Sequence, residues 1–280
     1  MSEPTAGPPL RLAASLDGPA GKPVLVLGNS LGTSREVWDP QLPALAEHFR
    51  LLRFELPGHG LRPPSAAGLS AAGPRPPESP PSPYSIGDLG SAVLALLDQH
   101  GIDRACYCGL SLGGMVGMWL AAHAPARIAA LGLCCTSAHL PPASGWLARA
   151  DQVRTAGMVS VIRPSLGRWF TPSFLRSAPA TVAAMAATLA DANPEGYAGC
   201  CEAIAAMDLR PVLGSITAPT LVIAASEDPA TPPAHGALIA RQIGGARLVV
   251  IRGAAHLANV QAPGPVTAAL LSHLAAASLT

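Results

Sequence analysis

Ala105-Cys106-Tyr107-Cys108-Gly109-Leu110-Ser111-Leu112-Gly113-Gly114-Met115 is the stretch of this chain whose reading settles the fold. The apolar run from Ala105 to Cys108 reads as a short buried strand, and Gly114-Met115-Val116-Gly117-Met118-Trp119-Leu120 reads as a helix. The pentapeptide Gly109-Leu110-Ser111-Leu112-Gly113 therefore falls at a strand-to-helix turn, the setting of a G-x-S-x-G nucleophile elbow. Its glycines have a steric task, because side chains flanking the serine would collide with the neighbouring backbone and helix. The turn holds the Ser111 hydroxyl clear of the sheet edge, beside a helix N-terminus and the amide of Leu112. An anion forming there would be stabilised.

Partners for the serine follow downstream. Thr220-Leu221-Val222-Ile223-Ala224-Ala225 is a buried-strand run that ends in the turn Ser226-Glu227-Asp228-Pro229, which places a carboxylate just past the strand. Asp228 is the candidate acid; the adjacent Glu227 is its local rival, and the shorter side chain in an x-D-P turn suits a fixed loop acid better. The run Arg247-Leu248-Val249-Val250-Ile251 leads to Gly253-Ala254-Ala255-His256-Leu257, which puts an imidazole on the next loop. Serine, acid and histidine then occur in the order of one serine-hydrolase fold and not of the two others. Ser111 is the candidate nucleophile, His256 the base that takes its proton, and Asp228 the group that fixes the tautomer and balances the imidazolium. His48, His100, His123 and His273 fall on helical stretches, and His139 and His235 in polar or proline-rich loops, and surface or capping roles are expected for most of them.

A second donor for the developing oxyanion is expected opposite the elbow. Pro23-Val24-Leu25-Val26-Leu27 is a continuous buried strand, and the loop Gly28-Asn29-Ser30-Leu31-Gly32-Thr33 follows it. Leu31 is the expected amide, with Leu112 as its partner, and Ser30 offers a hydroxyl near the substrate. Phe54-Glu55-Leu56-Pro57-Gly58-His59-Gly60 is a tight strand exit, read as structural.

Composition narrows the classes. The chain has 280 residues, 49% of them hydrophobic, and a formal net charge of +1. That length suits one α/β domain with an insertion, able to bury about three quarters of the surface its unfolded chain exposes. The near-zero charge implies no nucleic-acid partner. No apolar stretch reaches the roughly 18–20 residues needed to span a bilayer, and Met1-Ser2-Glu3-Pro4-Thr5 opens no basic-then-apolar leader; a cytoplasmic, soluble protein without a membrane partner is expected. The six cysteines, Cys106, Cys108, Cys134, Cys135, Cys200 and Cys201, lack metal-ligand spacing and are expected as buried thiols. No metal and no cofactor are expected. No acid follows the strand ending at Cys134-Cys135, where Thr136-Ser137 stands instead.

The rest of the chain alternates strand and helix. Leu10 to Leu16, the turn Asp17-Gly18 and the strand from Pro23 suggest an early hairpin. The stretch from Arg62 to Pro83 is too rich in proline for regular structure and is expected as a surface loop. Ile86 to His100 is an amphipathic helix. The expected organisation is a core in two parts, 1–137 and 212–280, interrupted by a helical lid over 138–211, where Pro164, Pro172, Pro179 and Pro194 punctuate a helical pattern without strand runs.

With these residues in view, the chain resembles the 3-oxoadipate enol-lactonases, within the α/β-hydrolase superfamily. The matching segments include Asn29-Ser30-Leu31-Gly32-Thr33, Trp38-Asp39-Pro40-Gln41, Pro83-Tyr84-Ser85-Ile86, Gly109 to Met115, Arg168-Trp169-Phe170-Thr171-Pro172, Asn193 to Cys200, Asp228 to Pro233 and Ala255-His256-Leu257. The likeness spans nearly the whole chain, the expected lid included. It implies the α/β-hydrolase fold: a mostly parallel eight-stranded sheet flanked by helices, with an inserted helical lid. It also implies hydrolysis of a small anionic enol-lactone by Ser111, Asp228 and His256. A carboxylate on the substrate calls for a cation, and the lid offers Arg149, Arg154, Arg163, Arg168 and Arg176, of which Arg149 and Arg168 are carried as substrate-binding candidates together with Ser30 and Trp146. The long insertion after Gly58-His59-Gly60 departs from the family pattern. Other readings stay open: a small-ester or carbon-carbon bond hydrolase of the same fold, a cofactor-free acyltransferase, or a binding module without turnover. The oligomeric state is left open.

Overall fold

The computed structural model describes residues 10–60 and 83–277, so the proline-rich stretch from Arg62 lies, but for Pro83, outside the described residues. Its centre is a sheet of β1 (Ala14–Asp17), β2 (Val24–Gly28), β3 (Arg50–Phe54), β4 (Ala105–Leu110), β5 (Ile128–Cys134), β6 (Thr220–Ala225) and β7 (Arg247–Ile251). The strands lie in the order β1-β3-β2-β4-β5-β6-β7, and every pair is parallel except β1 with β3. β4 and β6 are buried along their whole length, as expected of parallel strands covered on both faces. β7 is the far edge, and Leu248 and Val250 on it stay exposed.

Two expectations about the sheet need correction. Among the described residues it has seven strands, not eight, because its antiparallel edge consists of β1 alone. The early hairpin is also absent: β1 pairs with β3, Ala14 opposite Phe54 and Asp17 opposite Leu51. β3 lies between β1 and β2, so the turn at Asp17-Gly18 leads the chain past a strand that comes later in sequence.

The helices are α1 (Leu42–Ala46), α2 (Ile86–Gln99), α3 (Leu112–His123), α4 (Ala143–Ala156), α5 (Val159–Trp169), α6 (Pro172–Ser177), α7 (Pro179–Ala190), α8 (Pro194–Ala206), α9 (Pro233–Gln242), α10 (Ala258–Gln261) and α11 (Pro263–Ala277). α2 begins with a reciprocal cap between Ser85 and Asp88 and buries Ile86, Leu89, Val93, Leu96 and Leu97 along one stripe. His48 and His100 stand just past the ends of α1 and α2, and His235 lies in the first turn of α9 rather than in a loop, because the prolines before it start a helix. No helix among the described residues is long and apolar enough to cross a membrane.

Five helices, α4 to α8, fill the interval between β5 and β6. α8 is seated on the core backbone to backbone. A Cβ on Gly196 would stand 2.4 Å from the Pro57 carbonyl oxygen and 2.5 Å from Gly58 Cα, so only glycine permits this approach. The Asn193 amide donates to the Gly58 carbonyl at 2.7 Å, and the Tyr84 hydroxyl donates to that of Gly196 at 2.8 Å.

All six cysteines are buried free thiols. Burial pushes Cys106 up to about 11 and Cys200 up to about 12, which keeps both protonated at neutral pH.

Candidate active site

Ser111 sits between β4 and α3 with φ 54° and ψ −113°, a positive φ that a side-chain-bearing residue rarely adopts. The surroundings hold it there. Its amide donates to the Cys134 carbonyl at 2.8 Å, and its carbonyl accepts from the Thr136 hydroxyl at 2.6 Å. The elbow glycines are explained by contact: a Cβ on Gly109 would stand 2.2 Å from the Gly113 carbonyl, and one on Gly113 would stand 2.5 Å from that of Gly28.

Three loops converge on this turn. His256, after β7, brings Nε2 to 2.9 Å from the Ser111 hydroxyl, and its Nδ1 lies 2.8 Å from Oδ2 of Asp228, after β6. Ser111, Asp228 and His256 are each buried to within a few per cent. A carboxylate at Nδ1 holds the ring hydrogen on that side and leaves Nε2 as an acceptor for the serine proton. Burial would raise the Asp228 carboxyl, but the charge and hydrogen bond of His256 and two bonds from Thr231 outweigh it and lower it overall. Glu227 is exposed.

Thr231 is the residue that sequence reasoning missed. Asp228 Oδ1 accepts the amides of Ala230 and Thr231 at 2.8 and 3.0 Å, while Oδ2 accepts the Thr231 hydroxyl at 2.7 Å. The signal was a hydroxyl three positions after a turn acid, where such a loop closes on its own carboxylate.

The loop after β2 packs against the elbow. The Gly113 amide donates to the Asn29 carbonyl at 2.9 Å, and the Asn29 side chain turns away to donate to the Phe54 carbonyl at 2.7 Å. Gly32, with φ +81°, donates its amide to His59 Nε2 at 2.9 Å. His59 must then carry its hydrogen on Nδ1, which donates to the Pro57 carbonyl at 2.8 Å. Burial pushes His59 down to about 4, so it stays in this neutral form. Glu55 accepts the Arg35 amide at 3.1 and 3.2 Å. Burial, with the Glu36 charge, pushes its carboxyl up to about 8. The segment Phe54–Gly60, read as structural, is thus the brace of this loop. Leu112 opens α3, where an amide has no intrahelical acceptor, and the Leu31 amide finds no acceptor among the described residues.

Ser30, Leu31, Trp146, Arg149 and Arg168 line the same cavity as Ser111 and His256, together with Trp169 and Tyr197. The arginines differ. Arg149 gives Nε to the Tyr197 hydroxyl and Nη2 to the Ser165 hydroxyl, both at 2.7 Å. Arg168 lines the cavity with no hydrogen-bond or ion-pair partner among the described residues. Arg154 is paired with Glu195 and Glu202, and Arg163 and Arg176 are exposed outside the cavity lining. Trp146 is fixed by its indole N–H on the Leu140 carbonyl at 3.1 Å.

Residues 23–263 match the sequence profile of the alpha/beta hydrolase fold. The chain is 37% identical over 246 residues to 3-oxoadipate enol-lactonase 2 of Acinetobacter baylyi, covering 88% of this chain and 86% of that one. It is 32% identical over 252 residues to 3-oxoadipate enol-lactonase 1 of the same organism, covering 90% and 88%. The crystal structure of the enol-lactonase from Burkholderia xenovorans LB400 superposes with a TM-score of 0.87 at 38% identity, covering 94% of this chain and 96% of that one.

Proposed function

We propose that this chain, which belongs to the alpha/beta hydrolase family and is an enzyme that hydrolyses esters or lactones, opens 3-oxoadipate enol-lactone with water to give 3-oxoadipate. The observation that carries the reading is the hydrogen-bonded line Ser111–His256–Asp228 opening into a cavity whose wall presents Arg168 uncommitted. The relatives named enol-lactonases supply the substrate class.

In this reading the Ser111 oxygen attacks the ring carbonyl carbon as His256 Nε2 takes its proton. The amides of Leu31 and Leu112 hold the oxyanion. Collapse breaks the bond to the ring oxygen, which leaves as an enolate, takes the proton from His256 and tautomerises to a ketone. That leaving group is good because the ketone is the stable form. Water, losing its proton to His256, then attacks the acyl carbon and releases the acid from Ser111. Arg168 holds the substrate carboxylate, Ser30 and Trp146 line its path, and Arg149 shapes the wall through Tyr197. Helices α4 to α8 act as a lid over a core made of 1–137 and 212–280.

The test is steady-state kinetics on the enol-lactone beside a neutral ester of similar size. A clear preference in kcat/KM for the lactone is expected. Ser111→Ala and His256→Ala should each abolish turnover in a folded protein, with Asp228→Asn costing about as much or somewhat less. Faster turnover of the neutral ester would return the enzyme to the general esterases, and normal turnover by Ser111→Ala would end the mechanism.

A further inference from the structure

A second cavity, of about 390 Å³, shares no lining residue with the first. It lies within the size range of small-molecule sites, roughly 300–1,000 Å³. Its walls are the loop after β5, with Ser137, Ala138, His139 and Pro141, the cation Arg210, and one face of α9, where Ala234, His235, Leu238 and Arg241 follow one another at helical spacing.

The lining contains two arginines and two histidines and no acid. Arg210 gives Nε and Nη2 to Asp208, at 2.9 and 2.6 Å, which leaves its Nη1 edge uncommitted. Arg241 has no hydrogen-bond or ion-pair partner among the described residues. His235 Nδ1 is buried out of a ligand's reach and has no hydrogen-bond partner, so Nε2 is the ring nitrogen that His235 offers to the cavity it lines. His139 directs Nδ1 to the Met207 carbonyl at 3.1 Å, so its Nε2 remains. The wall between is apolar, from Ala138, Pro141, Ala234 and Leu238. The wall is also well anchored: Leu209 donates its amide to the Ala138 carbonyl at 2.8 Å, and His139 bridges to Asp208.

We infer that this cavity is a binding site for a small aliphatic dicarboxylate, separate from the site of turnover. His235 and Arg241 are separated by about 9 Å of rise along α9, and Arg210 adds a second guanidinium to the lining. The cationic groups thus stand at separate points with the apolar side chain of Leu238 among them, an arrangement for two carboxylates joined by a methylene chain. A single compact anion would leave one end unmatched, and a neutral molecule would leave the guanidinium of Arg241 bare. The Arg241 contact is a charge-assisted, two-toothed one, the stronger kind of hydrogen bond. The inference rests on the cavity and its charges and stands whether or not the reaction proposed above is correct.

The experiment uses the whole protein with Ser111 covalently blocked by a serine-directed phosphonate, which closes the first cavity to ligand. Calorimetric titration with adipate should show one saturable site, with inorganic phosphate and neutral adipamide binding at least about tenfold more weakly. Arg241→Ala should lower adipate affinity about tenfold or more, while the unblocked variant keeps its basal turnover and melting temperature. Leu238→Asn, which removes apolar contact and adds no charge, should weaken adipate and leave phosphate unchanged. No saturable adipate binding by the blocked protein, equal binding of adipamide or phosphate, or undiminished binding by Arg241→Ala would overturn the inference.

Discussion

The hydroxyl of Thr231 donates to Oδ2 of Asp228 at 2.7 Å, and that same oxygen lies 2.8 Å from Nδ1 of His256. With the amides of Ala230 and Thr231 on Oδ1, the carboxylate accepts four hydrogen bonds, and its charge is spread among them. Thr231→Val keeps the shape and the amide but removes one donor from the oxygen that faces the imidazole. The Thr231 hydroxyl is one of the groups that hold the Asp228 carboxyl low, so its loss should raise that carboxyl, move the acid limb of the kcat/KM profile to higher pH and lower the plateau several-fold. Thr231→Ser should restore both. Superimposable pH profiles for Thr231→Val and the wild type would show that the hydroxyl only fills space.

Arg149 and Arg168 separate by what they already hold. Arg168→Gln should raise KM for the anionic lactone about tenfold or more, as expected for one lost carboxylate contact, and leave a neutral ester nearly unaffected. Arg149→Gln breaks the bonds to Tyr197 and Ser165, so it should lower both turnover and melting temperature, with either substrate. Paired kinetics on the two substrates distinguishes a ligand contact from a wall support.

Glu55 sets a stability limit on the alkaline side. Its folded carboxyl, at about 8 against an ordinary value of 4.5, binds a proton that the unfolded chain has lost over that interval. Native protein thus holds more protons than unfolded protein, and stability should fall as pH rises from about 4.5 to 8. From pH 6.5 to 8 the loss should be on the order of 1–2 kcal/mol. Burial lowers His59, His235 and His273, which acts on the other side, removing stability as pH falls below the ordinary histidine range. Glu55→Gln should flatten the alkaline decline in melting temperature and leave the acid side in place. An unchanged alkaline slope in Glu55→Gln would show that Glu55 does not set it.

Gly196→Ala should cost about 1–3 kcal/mol by overpacking against rigid backbone, seen as a lowered denaturation midpoint. Gly145→Ala is the matched control on α4, where a new Cβ meets nothing within 4 Å. There the change should be neutral or stabilising by up to about 1 kcal/mol. Equal effects at the two positions would discount the close contact.

The parts of the molecule that sequence revealed are those governed by local sterics. The turn at Ser111 is legible because two glycines must let backbones touch, and Asp228 and His256 are legible because each follows an unmistakable strand. What escaped was decided by distant chain. β1 paired with β3 because a later strand came between β1 and β2, and no residue near Asp17 records that. Glu55 looks like any turn acid until the Arg35 amide and the loop after β2 enclose it. Arg149 and Arg168 are alike in sequence, and only Tyr197 and Ser165, on different helices, set them apart. His59 lies in a segment read as structural, and its contact with the Gly32 amide is visible only once the loop after β2 is in place.

The seam where Gly58 meets Gly196 also bears on how such a protein can diversify. One wall of the cavity beside Ser111 is fastened at main-chain distance, with no side chain between that could be enlarged or trimmed to shift it. The shape of that cavity can therefore change through the side chains that project into it, such as Trp146 on α4, Arg168 on α5 and Tyr197 on α8, while the backbone of α8 is held where it is.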